Sequence, residues 1–258
     1  MTKKHTLIVG GTRGIGRALV RFLAENGHFV SVIGRRAPSA SDKKIKNTCY
    51  WSLDLLNHSN VSKALAEIIN QNGKLNNLIF FQRYKGKAND LKGEIGVSLT
   101  ATKKIIEYLN DKFAETYEKS IVIVSSLASN FIAEEQPLSY HIAKAGINQM
   151  VRYYAVKLGP KGIRVNCVST GTVIKEESKL FYLLNIKLHN LYKKITPLRR
   201  MATSNDIVNV ISFLCSQKAS FITGQNIVVD GGVSLQMHES LARKLTSLNI
   251  IKKGKRHR

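Results

Sequence analysis

Tyr140 and Lys144 stand four residues apart in Ser139-Tyr140-His141-Ile142-Ala143-Lys144. On a helix that spacing puts both side chains on one face. A phenol with a pKa near 10 exchanges protons poorly at neutral pH, but a neighbouring ammonium favours the phenolate and brings it toward the working range. Such a pair can give a proton to a carbonyl oxygen, or take one from an alcohol, while hydride moves between a nicotinamide and the same carbon. A third group must hold the substrate oxygen. Ser125-Ser126 follows the strand-like run 121–124, at the carboxyl edge where parallel sheets bind ligands. Alone, Tyr-x-x-x-Lys is common on solvated helices. Its force here comes from the strand end before it and from a glycine turn near the N-terminus.

That turn is Gly10-Gly11-Thr12-Arg13-Gly14-Ile15-Gly16, lying between a strand-like stretch and an amphipathic one. Glycines let the backbone turn sharply and approach a pyrophosphate, and the helix that follows supplies N–H groups and a positive dipole end. The spacing, Gly-x-x-x-Gly-x-Gly, is a variant of the dinucleotide fingerprint. Where an NAD enzyme usually carries an acid, at the end of the second strand, this chain has Gly34-Arg35-Arg36. A guanidinium pairs with a 2′-phosphate through a bidentate fork, and Arg13 can add a second contact, so NADP(H) is expected over NAD(H). The plain alternative makes Arg35 and Arg36 two more surface charges. Asp54, closing the third strand, suits either the adenine edge or the N-cap of a helix beginning near Ser59.

These groups need elements to hold them. Strand candidates cover 6–9, 29–33, 49–53, 78–81, 121–124, 164–168 and 226–229, with helical patterns over 14–26, 59–70, 94–117, 140–158 and 204–216 between them. Ser204-Asn205-Asp206 reads as a helix N-cap. Strict alternation predicts an α/β fold: a doubly wound, Rossmann-type parallel sheet of about seven strands flanked by helices, in a single domain. The domain is expected over residues 1–236, with a C-terminal extension, 237–258, carrying a basic tail. Residues 172–200 break the rhythm with polar residues and inserted aromatics and leucines, as a small helical lid would. Leu241, Leu245 and Leu248 give the extension an apolar face.

Hydrophobic residues make up 43% of the 258, enough for a buried core. No apolar run reaches the ~18 residues of a membrane span, and the first residues resemble no secretory signal, so a soluble cytoplasmic protein is expected. Cys49, Cys167 and Cys215 are dispersed and form no CxxC pair, which argues against a disulfide framework or a zinc site and for buried, inert thiols. The balance of 40 Lys+Arg against 17 Asp+Glu is extreme. It suits an acidic carrier, a phosphorylated substrate or nucleic acid, or is a basic bias of a solvated surface. The clustered exception is the tail from Lys252 to Arg258, a disordered end or a docking arm. No helix-turn-helix, zinc or stacking motif supports nucleic-acid binding.

Taken together the motifs resemble the short-chain dehydrogenase/reductase family, nearest to single-domain members such as 3-oxoacyl-carrier-protein reductase. The resemblance runs from about Thr6 to Val233. Its residues are the Gly10/Gly14/Gly16 turn, Asp54-Leu55, Ser125-Ser126, Tyr140 with Lys144, Arg164-Val165-Asn166, Ile222-Thr223-Gly224-Gln225 and Val229-Asp230-Gly231-Gly232. It implies Tyr140 as acid/base, Lys144 as the group that lowers its pKa and holds the nicotinamide ribose, and Ser126 as anchor of the substrate oxygen. It implies cofactor contacts from Thr12, Arg13, Ile15, Leu55, Gly171 and Val173 besides the residues above. It also implies a homotetramer or homodimer with the C-terminal strand region near an interface.

Three stretches depart from the family pattern. The usual Asn-Asn-Ala-Gly is Phe80-Phe81-Gln82-Arg83, whose bulk narrows the cofactor bed. The asparagine that supports the lysine aligns with Ser98, and a threonine four residues after Gly171 is Lys175. The leading expectation is an NADP(H)-dependent oxidoreductase acting on a small carbonyl or alcohol, free or linked to a carrier or nucleotide. The departures motivate the alternative of a weak or inactive member serving as a cofactor-binding or regulatory module.

Overall fold

Strands buried on both faces are mostly apolar: β1 (His5–Val9) has no exposed residue, with Leu7, Ile8 and Val9 in the core and the polar His5 and Thr6 hydrogen-bonded to Ser31 and Asn77. The computed structural model describes residues 3–86, 90–115 and 118–246. After β1 come α1 (Gly14–Glu25), β2 (Phe29–Gly34), β3 (Thr48–Ser52), α2 (His58–Asn72) and β4 (Asn77–Phe80). Then follow α3 (Leu91–Ile95), a π-helical turn (Gly96–Thr100), α4 (Ala101–Leu109), β5 (Ser120–Ser126), α5 (Leu138–Leu158) and β6 (Arg164–Thr170). The last part holds β7 (Val173–Ile174), α6 (Lys179–Leu184), α7 (Ile186–Ile195), β8 (Ala202–Thr203), α8 (Ser204–Cys215), β9 (Asn226–Val229) and α9 (His238–Thr246).

The main sheet has seven parallel strands in the order β3-β2-β1-β4-β5-β6-β9. The winding of the strand order reverses between β1 and β4, so a crevice opens at their carboxyl ends. Two apolar layers cover the sheet. Leu65, Ile68, Ile105, Ile147 and Val151 pack on Leu7, Leu78, Ile121 and Val165 on one face. Leu19, Leu23, Val208 and Ile211 pack on Ile8, Val32, Ile79 and Val168 on the other. The single doubly wound domain expected from the alternation is therefore present.

Local differences have local causes. The helix expected over 94–117 begins at Leu91, passes through the π-helical turn and stops at Leu109. Phe113 then forms a parallel bridge with Leu75 and is buried in the core, which a continued helix would prevent. Residues 116–117 lie outside the described residues. Asn57, not Asp54, caps α2: its side chain accepts from Asn60 N at 3.2 Å. At α8 the cap is Thr203, one residue earlier than expected, in a reciprocal box with Asp206.

The 172–200 segment carries α6 and α7, closed at its base by Val173 paired with Ala202. Cys167 and Cys215 are buried, and burial pushes both thiols up to about 11. Cys49 is only half-buried, because it lies on edge strand β3. Leu241 and Leu245 of α9 are half-buried, whereas Leu248 and the tail from Lys252 lie outside the described residues. Among the described residues, no helix is long and apolar enough to cross a membrane.

Candidate active site

The glycine turn leaves β1 and packs on the chain leaving β4. Gly10 has φ +88°, and a Cβ there would lie 2.6 Å from Gln82 N. A Cβ at Gly16 would lie 2.4 Å from the Gly10 carbonyl oxygen. Both positions therefore require glycine if the turn is to close this tightly. Arg13, the residue before α1, makes no side-chain cap, and the first turn of α1 contains no acid. The N–H of Gly14 instead donates to Glu177 Oε1, 3.0 Å away, from the 172–200 segment. Thr12 packs against Gly34 at the end of β2.

Leaving β2 and β3 at the same edge are Arg35, Arg36, Asp54 and Leu55. Both arginines and Asp54 are exposed, and Leu55 is buried. Among the described residues the guanidinium groups of Arg13, Arg35 and Arg36 make no hydrogen bond or ion pair. Asp54 Oδ1 accepts from Leu56 N at 3.0 Å.

Tyr140 and Lys144 lie in the first turns of α5 and share a face, with Nζ 5.5 Å from the ring centroid. Lys144 is buried, and its Nζ donates to the Val124 carbonyl at 3.1 Å. Burial pushes its pKa down to about 8; the Glu94 carboxylate opposes this, while Arg83 and Lys175 add to it. Ser125 is committed to structure, its hydroxyl donating to the Lys144 carbonyl at 3.2 Å. Ser126 Oγ accepts from Ala128 N at 3.2 Å, which leaves its own proton available to donate.

Ser126 and Tyr140 line one cavity of about 640 Å³ with Ile15, Gly171 and Val173, capped by Tyr182 and Tyr192 of the helical segment. Five of the candidate residues are thus brought together. Lys144 lies behind Tyr140, and the Arg35/Arg36 and Asp54/Leu55 pairs stand apart at the edge. Ser98 does not line the cavity. It is buried on the π-helical turn, and its hydroxyl donates to Glu94 Oε1 at 2.6 Å.

The residues that replace the small family pattern go to different places. Gln82 turns to α4, where Nε2 donates to Thr102 Oγ1 at 2.6 Å. Arg83 lies over the Tyr140 ring, Cζ 4.7 Å from its centroid, and donates to Gln136 Oε1 at 2.7 Å. Sequence reading flagged bulk at Arg83 but not its stacking, and it missed Gln136, Glu94 and Glu177 at the site. Only Glu94 left a trace, four residues before Ser98 on one helical face.

A family model described as enoyl-(acyl carrier protein) reductase matches residues 9–234. "Dehydrogenase/reductase SDR family member 4" of Rattus norvegicus is 28% identical, over 90% of this chain and 88% of that one. The 3-oxoacyl-(acyl-carrier-protein) reductase of Aquifex aeolicus (strain VF5) is also 28% identical, over 89% of this chain and 97% of that one. Among solved structures, ElxO with NADP bound superposes with a TM-score of 0.77 at 22% identity, covering 91% of this chain and 100% of that one. Fold and relatives together define an oxidoreductase of the doubly wound α/β class. The chain belongs to the short-chain dehydrogenase/reductase family.

Proposed function

We propose that the chain is an NADP(H)-dependent oxidoreductase that reduces a carbonyl, or oxidises the matching alcohol, at a Ser126/Tyr140/Lys144 centre. One observation carries this reading: Ser126 and Tyr140 face the same cavity, with the Lys144 ammonium 5.5 Å from the phenol ring. The residues fit a dinucleotide. The glycine turn leaves no space for a Cβ at Gly10 or Gly16, and the α1 N-terminus already receives a carboxylate, as it would a phosphate. Three uncommitted arginines, Arg13, Arg35 and Arg36, suit a 2′-phosphate. The likeness to a structure with NADP bound agrees with this choice.

When bound, the cofactor supplies or accepts the hydride. The chain's own groups do the rest. Ser126 Oγ donates to the substrate oxygen and fixes it beside the phenol. Tyr140 gives the proton to that oxygen in reduction and takes it back in oxidation. Lys144 stabilises the phenolate left behind, and its bond to the Val124 carbonyl holds the ammonium in place. Tyr182 and Tyr192, with ring centroids 6.0 Å apart, cover the cavity against water. The expected substrate is a small carbonyl compound, carrier- or nucleotide-linked forms included, handled in the cytoplasm. Exposed Phe221, Val228, Leu235 and Met237 around edge strand β9 support a homodimer or homotetramer.

A second reading is a weak or inactive family member that binds cofactor as a regulatory module. Arg83 over the Tyr140 ring and the commitment of Ser98 to Glu94 favour it. A screen of carbonyl compounds for NADPH oxidation, with Tyr140→Phe as control, separates the two. The enzyme reading expects turnover that drops about 10²–10⁴-fold in the variant while NADPH binding persists. Turnover unchanged by the variant defeats the acid/base role. NADPH binding without turnover on any compound supports the module.

A further inference from the structure

The seat at the α1 N-terminus is taken by the chain itself. Glu177 Oε1 accepts from Gly14 N at 3.0 Å, in the turn that the proposed cofactor needs for its phosphates. The contact is part of a latch. Arg17 Nη2 lies 3.1 Å from Glu177 and 2.9 Å from Glu176, and Arg21 Nη1 lies 3.0 Å from Glu176. The Lys175 side chain lies over Gly14, its Cδ 3.3 Å from where a Cβ would stand. Lys175 N donates to Ser178 Oγ at 3.1 Å, which tightens the turn that presents both glutamates. Burial alone would raise the Glu177 carboxyl, but the Gly14 N–H, Arg17 and Arg13 outweigh it and hold the group ionised.

Apart from this latch the segment is held near its two ends, by Val173 paired with Ala202 and by Gln236 Nε2 donating to the Ile195 carbonyl at 2.6 Å. Neither α6 nor α7 has a buried residue. Yet Lys175, Ser178, Tyr182 and Tyr192 of that segment line the same cavity as Ser126 and Tyr140. One N–H at a helix terminus cannot serve two anions, so the lid and a phosphate compete for Gly14.

We propose that Glu177 is an autoinhibitory stand-in for the cofactor phosphate: it latches the 175–195 lid onto α1, and a dinucleotide must displace it to bind, releasing the lid over the substrate cavity. This rests on the dinucleotide reading of the groove. It adds that the phosphate seat and the substrate cavity are coupled through one carboxylate.

Two measurements on the full chain test the latch. NADPH and inorganic pyrophosphate are titrated against wild type, Glu177→Gln and Glu177→Ala. Hydrogen exchange of the Gly14 amide and of residues 175–195 is followed in the same proteins without ligand. Loss of a charge-assisted contact corresponds to about tenfold tighter ligand binding in Glu177→Ala, with a smaller gain in Glu177→Gln, which keeps an acceptor. Exchange at both places should rise in the ligand-free variants, whereas NADPH added to wild type should raise exchange in residues 175–195 and leave the Gly14 amide protected by its new acceptor. Equal or weaker NADPH binding by the variants overturns the gate while leaving the dinucleotide reading intact. If wild type and variants alike bind no dinucleotide, that reading falls and the gate with it.

Discussion

The guanidinium carbon of Arg83 lies 4.7 Å from the centroid of the Tyr140 ring, and the same group donates to Gln136 across the mouth of the cavity. A cation over an aromatic face open to solvent is worth about 0.5–1 kcal/mol, and the bond to Gln136 is exposed, where water can replace it, so the stack sets the cost of pushing Arg83 aside. Arg83 is exposed, and nothing buries its swing outward. Arg83→Ala should therefore tighten NADPH binding about two- to fivefold, the same energy expressed as an affinity. Fluorescence titration of both proteins checks it. Weaker binding by the variant would make Arg83 a cofactor contact instead of an obstacle.

The ammonium of Lys144 gives the activity a pH limb. Burial, with Glu94 opposing it, brings its pKa down to about 8, and the free enzyme's ionisations are read in kcat/KM. As pH rises through that value the ammonium loses its proton and no longer stabilises the phenolate. Carbonyl reduction should then lose kcat/KM above about pH 8. Lys144→Arg keeps its charge throughout the accessible range, so its profile, at whatever level, should lack that limb. A wild-type profile flat from pH 7 to well above this pKa speaks against the assignment.

Much of this arrangement is legible in the sequence itself. The seven strands were readable because parallel strands buried on both faces leave continuous apolar runs, as in Leu7-Ile8-Val9 and Ile121-Val122-Ile123. Tyr140, Lys144 and Ser126 were readable because their positions follow from helix period and strand ends. What escaped depends on side chains meeting across the fold. Glu177 reaches Gly14 over 163 residues of chain, and no local pattern records that contact. Arg83 could be seen to be bulky, but not that it would stack on Tyr140 while Gln82 turned away to Thr102. The early stop of α4 depended on Phe113 finding Leu75, again a meeting of distant segments.

Cofactor choice rests on the edge beyond β2. Arg35 and Arg36 are exposed, and among the described residues neither guanidinium is paired, so both are free to meet a 2′-phosphate. A hydrogen bond to a charged group contributes about 1.5–3 kcal/mol, or roughly 10- to 150-fold in affinity. The double change Arg35→Ser with Arg36→Ser should weaken NADPH by at least about tenfold and leave NADH nearly unchanged. The ratio of the two dissociation constants, measured by titration, is the readout. Equal losses for both dinucleotides would return the two arginines to the role of plain surface charges.

The sheet's first strand brings a pH dependence of stability that owes nothing to catalysis. His5 is buried, its Nδ1 2.9 Å from the Gly73 carbonyl and its Nε2 2.8 Å from Ser31 Oγ. A carbonyl only accepts, so Nδ1 carries the proton and Nε2 of the neutral ring accepts from the serine. Burial lowers the pKa of His5 from 6.5, and burial with Lys4 nearby lowers that of His28. Below 6.5 the unfolded chain then binds more protons than the folded one, so stability falls as the pH is taken down through that value. The urea midpoint should drop between pH 7.5 and about 5.5, and the drop should shrink in His5→Gln, which has no group to titrate there. If the variant shows the same drop as wild type, His5 is not its source and the slope belongs to other groups.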